Sequence, residues 1–114
     1  MEIKNKDGGL IVDLKTRNEE SSLLEREKVF LKRVNLQALD LKRADLRDAN
    51  LEYGHLDSAD LSEADLQGAK LGMANMGSTN FFRANLKNAD LYGSFLNMAN
   101  FEEANLEGAN LQGV

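Results

Sequence analysis

From residue 29 to the end of the chain, apolar and polar positions recur every five residues without an insertion or a slip. Each fifth position from Leu31 to Leu111 holds a large apolar side chain, seventeen in all: fourteen leucines with Met76, Phe81 and Phe101. Two residues before it stands a small residue, Ala in eleven of the seventeen units, and between the two stands Asn or Asp in thirteen. A helix cannot use this spacing, because five residues at about 100° each carry the apolar position about 140° round the cylinder. A long regular strand fails too. The small and the large residue are two apart and share a side, but the next inward pair follows a gap of three. That gap needs a corner, and short extended segments joined by regular corners predict an all-β solenoid whose inward residues stack in ladders.

Units such as Ala44-Asp45-Leu46-Arg47-Asp48 and Ala64-Asp65-Leu66-Gln67-Gly68 match the motif A(D/N)LXX, and through them residues 29–114 resemble the pentapeptide-repeat proteins. The resemblance implies a right-handed quadrilateral β-helix with four pentapeptides per coil, the small and the central residue pointing inward. Seventeen units then make about four coils, roughly 20 Å of axis at the inter-strand spacing of about 4.8 Å. A twenty-residue coil is supported by charge. One outward column becomes Arg43, Glu63, Arg83, Glu103, alternating in sign, and another becomes Arg47, Gln67, Lys87, Glu107, with no like charges adjacent. A fifteen-residue coil gives no such ladder. Inward, Phe81 and Phe101 fall in one column and are expected to stack.

Solenoid ends expose strand edges and are usually covered. Residues 1–28 read as a small N-terminal cap: a β-hairpin from Ile3 to Val12 turning at Lys6-Asp7-Gly8-Gly9, then a short helix. Thr16 with Glu19, or Ser22 with Glu25, fits a capping box, and Leu23, Leu24, Phe30 and Leu31 form one apolar stripe. The first inward small positions are enlarged to Val29, Val34 and Leu39, which suits a junction with a cap. The chain thus divides into a cap, 1–28, and a β-helix, 29–114. At the other end the repeat runs unaltered to Leu111. Leu106, Leu111 and Val114 there form a candidate self-association end, at which two copies meet as a homodimer about a twofold axis; a truncated natural chain or a sufficient short tail are the alternatives.

Composition narrows the chemistry. The 114 residues include no Cys, Pro or Trp, which excludes a disulfide framework and any thiolate nucleophile or metal site. Hydrophobic residues at 42 % and charged residues at 29 % suit a globular domain. A net charge of −5 argues against nonspecific nucleic-acid binding. No apolar run approaches a membrane span, and residues 1–14 lack the charged and apolar regions of a signal peptide, so neither membrane nor secretion is expected and the expected location is cytoplasmic. The one histidine, His55, takes the Asn/Asp position of its unit and reads as a turn substitution. The aspartates Asp40, Asp45, Asp60, Asp65 and Asp90 belong to the repeat, where Asn or Asp bonds the local backbone at a corner. Gly68, Gly72, Gly77, Gly93, Gly108 and Gly113 fall at outward corner positions and are expected to supply positive φ. No catalytic residue, cofactor or metal site is expected.

The surface remains. Charge is banded along the chain: +2 over residues 31–48, −5 over 49–69, +3 over 70–89 and −4 over 90–114. Tyr53, Met73, Tyr92 and Phe95 gather around an edge between two faces and form a candidate partner patch, with Phe82 and Met98 apart. The expected function is a non-enzymatic, rigid protein-interaction module whose partner is another protein. The resemblance implies an alternative, because some pentapeptide-repeat proteins mimic duplex DNA, bind DNA gyrase and protect against quinolones. About 20 Å of axis corresponds to only about six base pairs at 3.4 Å each, and Lys42, Arg43, Arg47, Lys70, Arg83 and Lys87 interrupt the acidic field.

Overall fold

The computed structural model describes residues 2–4, 10–13, 33 and 35–114. Twelve isolated parallel bridges join residues twenty apart, from Asn35 with His55 to Asp90 with Asn110. Each coil therefore takes twenty residues, four pentapeptides, as the charge columns anticipate.

Each backbone N–H of the unit around Leu61 has its own outlet. The Ala59 N–H closes a turn onto Leu56 O at 2.9 Å, and the Asp60 N–H reaches back to Leu39 O of the preceding coil at 2.9 Å. The N–H groups of Leu61 and Glu63 reach forward to Asn80 O and Phe82 O of the next coil, both at 2.8 Å. The remaining N–H, that of Ser62, has no backbone partner and donates to Asp60 Oδ1 at 3.0 Å. This last bond explains the Asn/Asp position. At all thirteen units that carry Asn or Asp, the side-chain Oδ1 accepts the N–H two residues on.

The corners need a left-handed residue two positions after the central apolar one, at the third place of a turn. Gly68, Gly93, Gly108 and Gly113 hold such angles, φ 65° to 72°. Gly72 and Gly77 do not, which corrects the expectation for these two: they stand one place earlier in the turn, where φ is not positive. Thirteen non-glycine residues, among them Arg43, Tyr53, Met73 and Glu103, take the same conformation at φ 57° to 64°.

The inward residues close into one core. The central residues from Leu36 to Leu91 are at most 1 % exposed, and the alanines between Ala44 and Ala89 are buried with them. Each such leucine gains about 1.5–3 kcal/mol from burial. Phe81 and Phe101 stack at a centroid distance of 4.9 Å with planes 8° apart. Thr79, at a small-residue position, satisfies its hydroxyl by donating to Leu56 O at 2.7 Å. Outside, the Arg83–Glu103 pair of the alternating column closes at 2.8 Å. Arg47 instead binds Asp45 at 2.7 Å and faces Asp65 at 3.9 Å.

At the start of the chain β1 (Glu2–Lys4) pairs antiparallel with β2 (Leu10–Asp13), with Glu2 opposite Asp13 and Ile3 opposite Val12. The turn at Lys6-Asp7-Gly8-Gly9, the predicted helix, and Val29 and Val34 lie outside the described residues. Leu39 is partly buried against the core.

Candidate functional site

Among the described units, three corners lack Asn or Asp: those at His55, Lys70 and Phe95. The N–H groups of Asp57, Gly72 and Asn97, which would have been capped by the missing side chains, make no hydrogen bond among the described residues. His55 and Phe95 share one outward column with Asn35 and Asn75, since bridges link 35 to 55, 55 to 75 and 75 to 95. The neighbouring column across the corner holds Arg33, Tyr53, Met73 and Gly93, all in the left-handed conformation.

Between these columns opens a cleft of about 560 Å³, within the range of roughly 300–1,000 Å³ typical of ligand sites. Tyr53, Met73 and Phe95 give its apolar wall, His55, Asn75 and Asn97 its polar groups, and Gly54 and Gly77 contribute backbone only. The apolar residues are positioned by the fold. Phe95 takes an outward-pointing repeat position and is 59 % exposed. Tyr53 lies under the Arg33 guanidinium, 5.2 Å from the ring centre. Met73 extends over Gly93, where a Cβ would stand 2.5 Å from its Sδ, so the bare glycine makes room for the thioether. The polar side is partly free. Asn75 Oδ1 accepts the Gly77 N–H at 3.2 Å, leaving its amide NH2 without a partner among the described residues, and the side chains of His55 and Asn97 likewise make no hydrogen bond there.

Three of the four anticipated patch residues thus converge on one cleft. Tyr92 is exposed beside it but does not line it. Sequence reasoning missed Gly54, His55, Asn75, Gly77 and Asn97. The signal for His55 was present, as an interruption of the Asn/Asp series in register with Phe95; Asn75 looks like any other corner residue and could not be singled out. Phe82 packs under the Arg83 guanidinium at 4.9 Å, and Met98, at 87 %, is the most exposed large apolar residue among those described. Of the anticipated self-association residues, Leu106 is partly buried against the core, while Leu111 and Val114 are exposed. A second cleft of about 390 Å³ runs beside them, from Gly93–Asn97 to Gly113 and Val114. The hydroxyl of Ser94 is buried next to it without a hydrogen-bond partner.

Among the described residues no group of His, Asp and Glu is placed to hold a metal ion, and no helix is long and apolar enough to cross a membrane.

A pentapeptide-repeat profile matches eight copies of the motif in this chain, over residues 31–68, 59–97 and 84–114. Among solved structures, the chain is similar to Rfr23, a pentapeptide repeat protein from the cyanobacterium Cyanothece 51142. That match has 41 % identity and a TM-score of 0.66 and covers 67 % of this chain, spanning about half (52 %) of the other. It is also similar to alr5209, a pentapeptide repeat protein from Nostoc Pcc 7120, with 33 % identity, a TM-score of 0.68 and coverage of 77 % of this chain and 72 % of that one. No curated protein matches. With its five-residue period, its twenty-residue coils and these relatives, the chain belongs to the pentapeptide repeat family, whose members form right-handed quadrilateral β-helices.

Proposed function

We propose that this protein is a non-enzymatic, rigid interaction module that holds a protein partner at the corner formed by Tyr53, Met73 and Phe95, with Tyr92 beside it. One observation carries this reading. Two of the three described corners that give up the Asn/Asp bond, His55 and Phe95, line the cleft. Each such bond is worth about 0.5–1.5 kcal/mol, and neither the His55 nor the Phe95 side chain supplies it. A β-helix of about four coils with a small N-terminal cap is a suitable frame. Its backbone is held by bonds between coils, so the backbone that displays the side chains loses little freedom on binding. Pentapeptide repeat proteins are generally structural or interaction proteins, which supports the same reading.

Mimicry of duplex DNA toward gyrase fits less well, because cations interleave with the acids on the surface, as in Arg83–Glu103 and Lys42–Asp60. The test is quantitative capture from an extract of the source cells by the wild type and by Tyr53→Ser/Phe95→Ser, followed by titration of the purified captured protein against both. Loss of affinity in the double variant at an unchanged thermal midpoint is the expected result. Equal affinity would remove the corner from the function.

A further inference from the structure

With no Cys in the chain, methionine is the side chain that a mild oxidant reaches first. Three of the four methionines lie among the described residues, each in a different setting. Met76 is fully buried in the core, Met98 is almost fully exposed, and Met73 is 41 % exposed along the wall of the cleft.

The seat of its sulfur sets Met73 apart. Gly93 stands one coil on in the same corner column, and a Cβ built on it would lie 2.5 Å from Sδ, with Cγ and Cε at 3.8 and 3.9 Å. The sulfur thus takes the space that a side chain at position 93 would fill, and its flank toward Gly93 is covered by backbone. The opposite flank belongs to the cleft, which Met73 lines and Gly93 does not. A thioether has two lone pairs, and oxidation at one or the other gives sulfoxides of opposite hand. Only the cleft-side pair is open to a reagent, and a cleft of about 560 Å³ readily admits hydrogen peroxide.

The cleft also holds a receiver for the new oxygen. Asn75 stands two residues from Met73 on the same coil and lines the same cleft. Its Oδ1 accepts the Gly77 N–H at 3.2 Å, and its NH2 has no partner among the described residues. A thioether is a weak acceptor and leaves that amide unpaired. A sulfoxide oxygen carries a partial negative charge and accepts strongly.

We propose that Met73 is a peroxide-modification site of the cleft, at which hydrogen peroxide forms a single sulfoxide epimer whose oxygen lies in the cleft and accepts a hydrogen bond from the Asn75 amide. In this step the cleft-side lone pair attacks one peroxide oxygen and the O–O bond breaks. The sulfur gains that oxygen and is oxidised by two electrons, while the other oxygen leaves as water with both protons. The change places a dipole in the apolar wall between Tyr53 and Phe95, so a partner that seats apolar groups there is released. That consequence rests on the interaction reading above; the modification itself does not.

The test oxidises the whole folded chain with hydrogen peroxide, quenches and digests it, and treats the peptides with methionine sulfoxide reductase A or B, each of which reduces one epimer. Mass spectrometry reads the sulfoxide that remains. Met76 is expected to stay unoxidised, the Met98 sulfoxide to be reduced in equal parts by the two enzymes, and the Met73 sulfoxide to be removed by one and to survive the other. Gly93→Ala, which displaces the sulfur from its seat, is expected to give both epimers. In 1H–15N spectra the Asn75 side-chain amide should shift on oxidation of the wild type and stay in place in Met73→Leu. Equal epimers at Met73 in the wild type, no oxidation there while Met98 reacts, or an unmoved Asn75 amide would overturn the proposal.

Titration of the captured partner before and after oxidation tests the consequence. Met98→Leu is expected to lose affinity on oxidation and Met73→Leu to keep it; affinity unchanged in both overturns the release. A single epimer at Met73, found while Tyr53→Ser/Phe95→Ser binds the captured protein as tightly as the wild type, would leave the modification site standing and withdraw the interaction reading.

Discussion

The ring of Phe81 lies on that of Phe101, centroids 4.9 Å apart and planes 8° from parallel, one coil step along the same inward column. Twenty residues of sequence separate them, so this contact exists only in the register that the bridges define. Phe81→Leu and Phe101→Leu are each expected to destabilise the chain. A double-mutant cycle measured by chemical denaturation should return about 0.5–1.5 kcal/mol of coupling, the usual range for stacked aromatics.

Gly93 and Gly77 are both cleft-side glycines and should respond in opposite directions to alanine. At Gly93 φ is +65° and a Cβ would meet the Met73 sulfur at 2.5 Å, so Gly93→Ala is expected to cost at least the 1–2 kcal/mol of a left-handed alanine and to displace Met73. At Gly77 there is room and no left-handed φ, so Gly77→Ala should stabilise by about 0.4–1 kcal/mol by restricting the unfolded chain. Thermal unfolding of the two variants side by side checks the pair.

The corner bond gives a third expectation. Asn85 accepts the Lys87 N–H at 3.1 Å, and Asn85→Ala leaves that donor unpaired at a cost of about 0.5–1.5 kcal/mol. Lys70→Asn should do the reverse, supplying the Gly72 N–H with an acceptor. Urea denaturation resolves changes of this size.

The ion pair between Arg83 and Glu103 has good geometry at 2.8 Å, but both side chains are more than half exposed. Arg83→Ala is therefore expected to change stability by no more than about 1 kcal/mol, less at high salt. A larger loss in the same denaturation assay would show that outward columns set the stacking register more strongly than their exposure indicates.

Much of the fold was legible because a five-residue period with small and large residues two apart admits few chain paths. The stacking of Phe81 on Phe101 and the Arg83–Glu103 pair followed from the coil length alone. The placement of positive φ was only half legible. Glycine marks it at Gly68 and Gly93, yet Arg43, Tyr53 and Glu103 adopt it too, because the turn demands it whatever residue is present. Gly72 and Gly77 looked equivalent to those glycines, since composition does not tell adjacent turn positions apart. At the site, Tyr53, Met73 and Phe95 were visible as apolar residues in polar positions. Asn75 and Asn97 were not, because their contribution comes from standing on neighbouring coils beside a gap, which only the stacked coils reveal.

The most direct measurement is the double substitution His55→Asn/Phe95→Asn, which restores the corner acceptors for Asp57 and Asn97 and removes Phe95 from the cleft's apolar wall. Thermal unfolding and titration with the purified partner are read on the same sample. A higher midpoint, about 4–8 °C for each kcal/mol in a domain of this size, together with lost partner affinity, is the result expected if these two residues are held for binding at the expense of the fold. An unchanged or lower midpoint with affinity retained would contradict it and return His55 and Phe95 to ordinary surface residues.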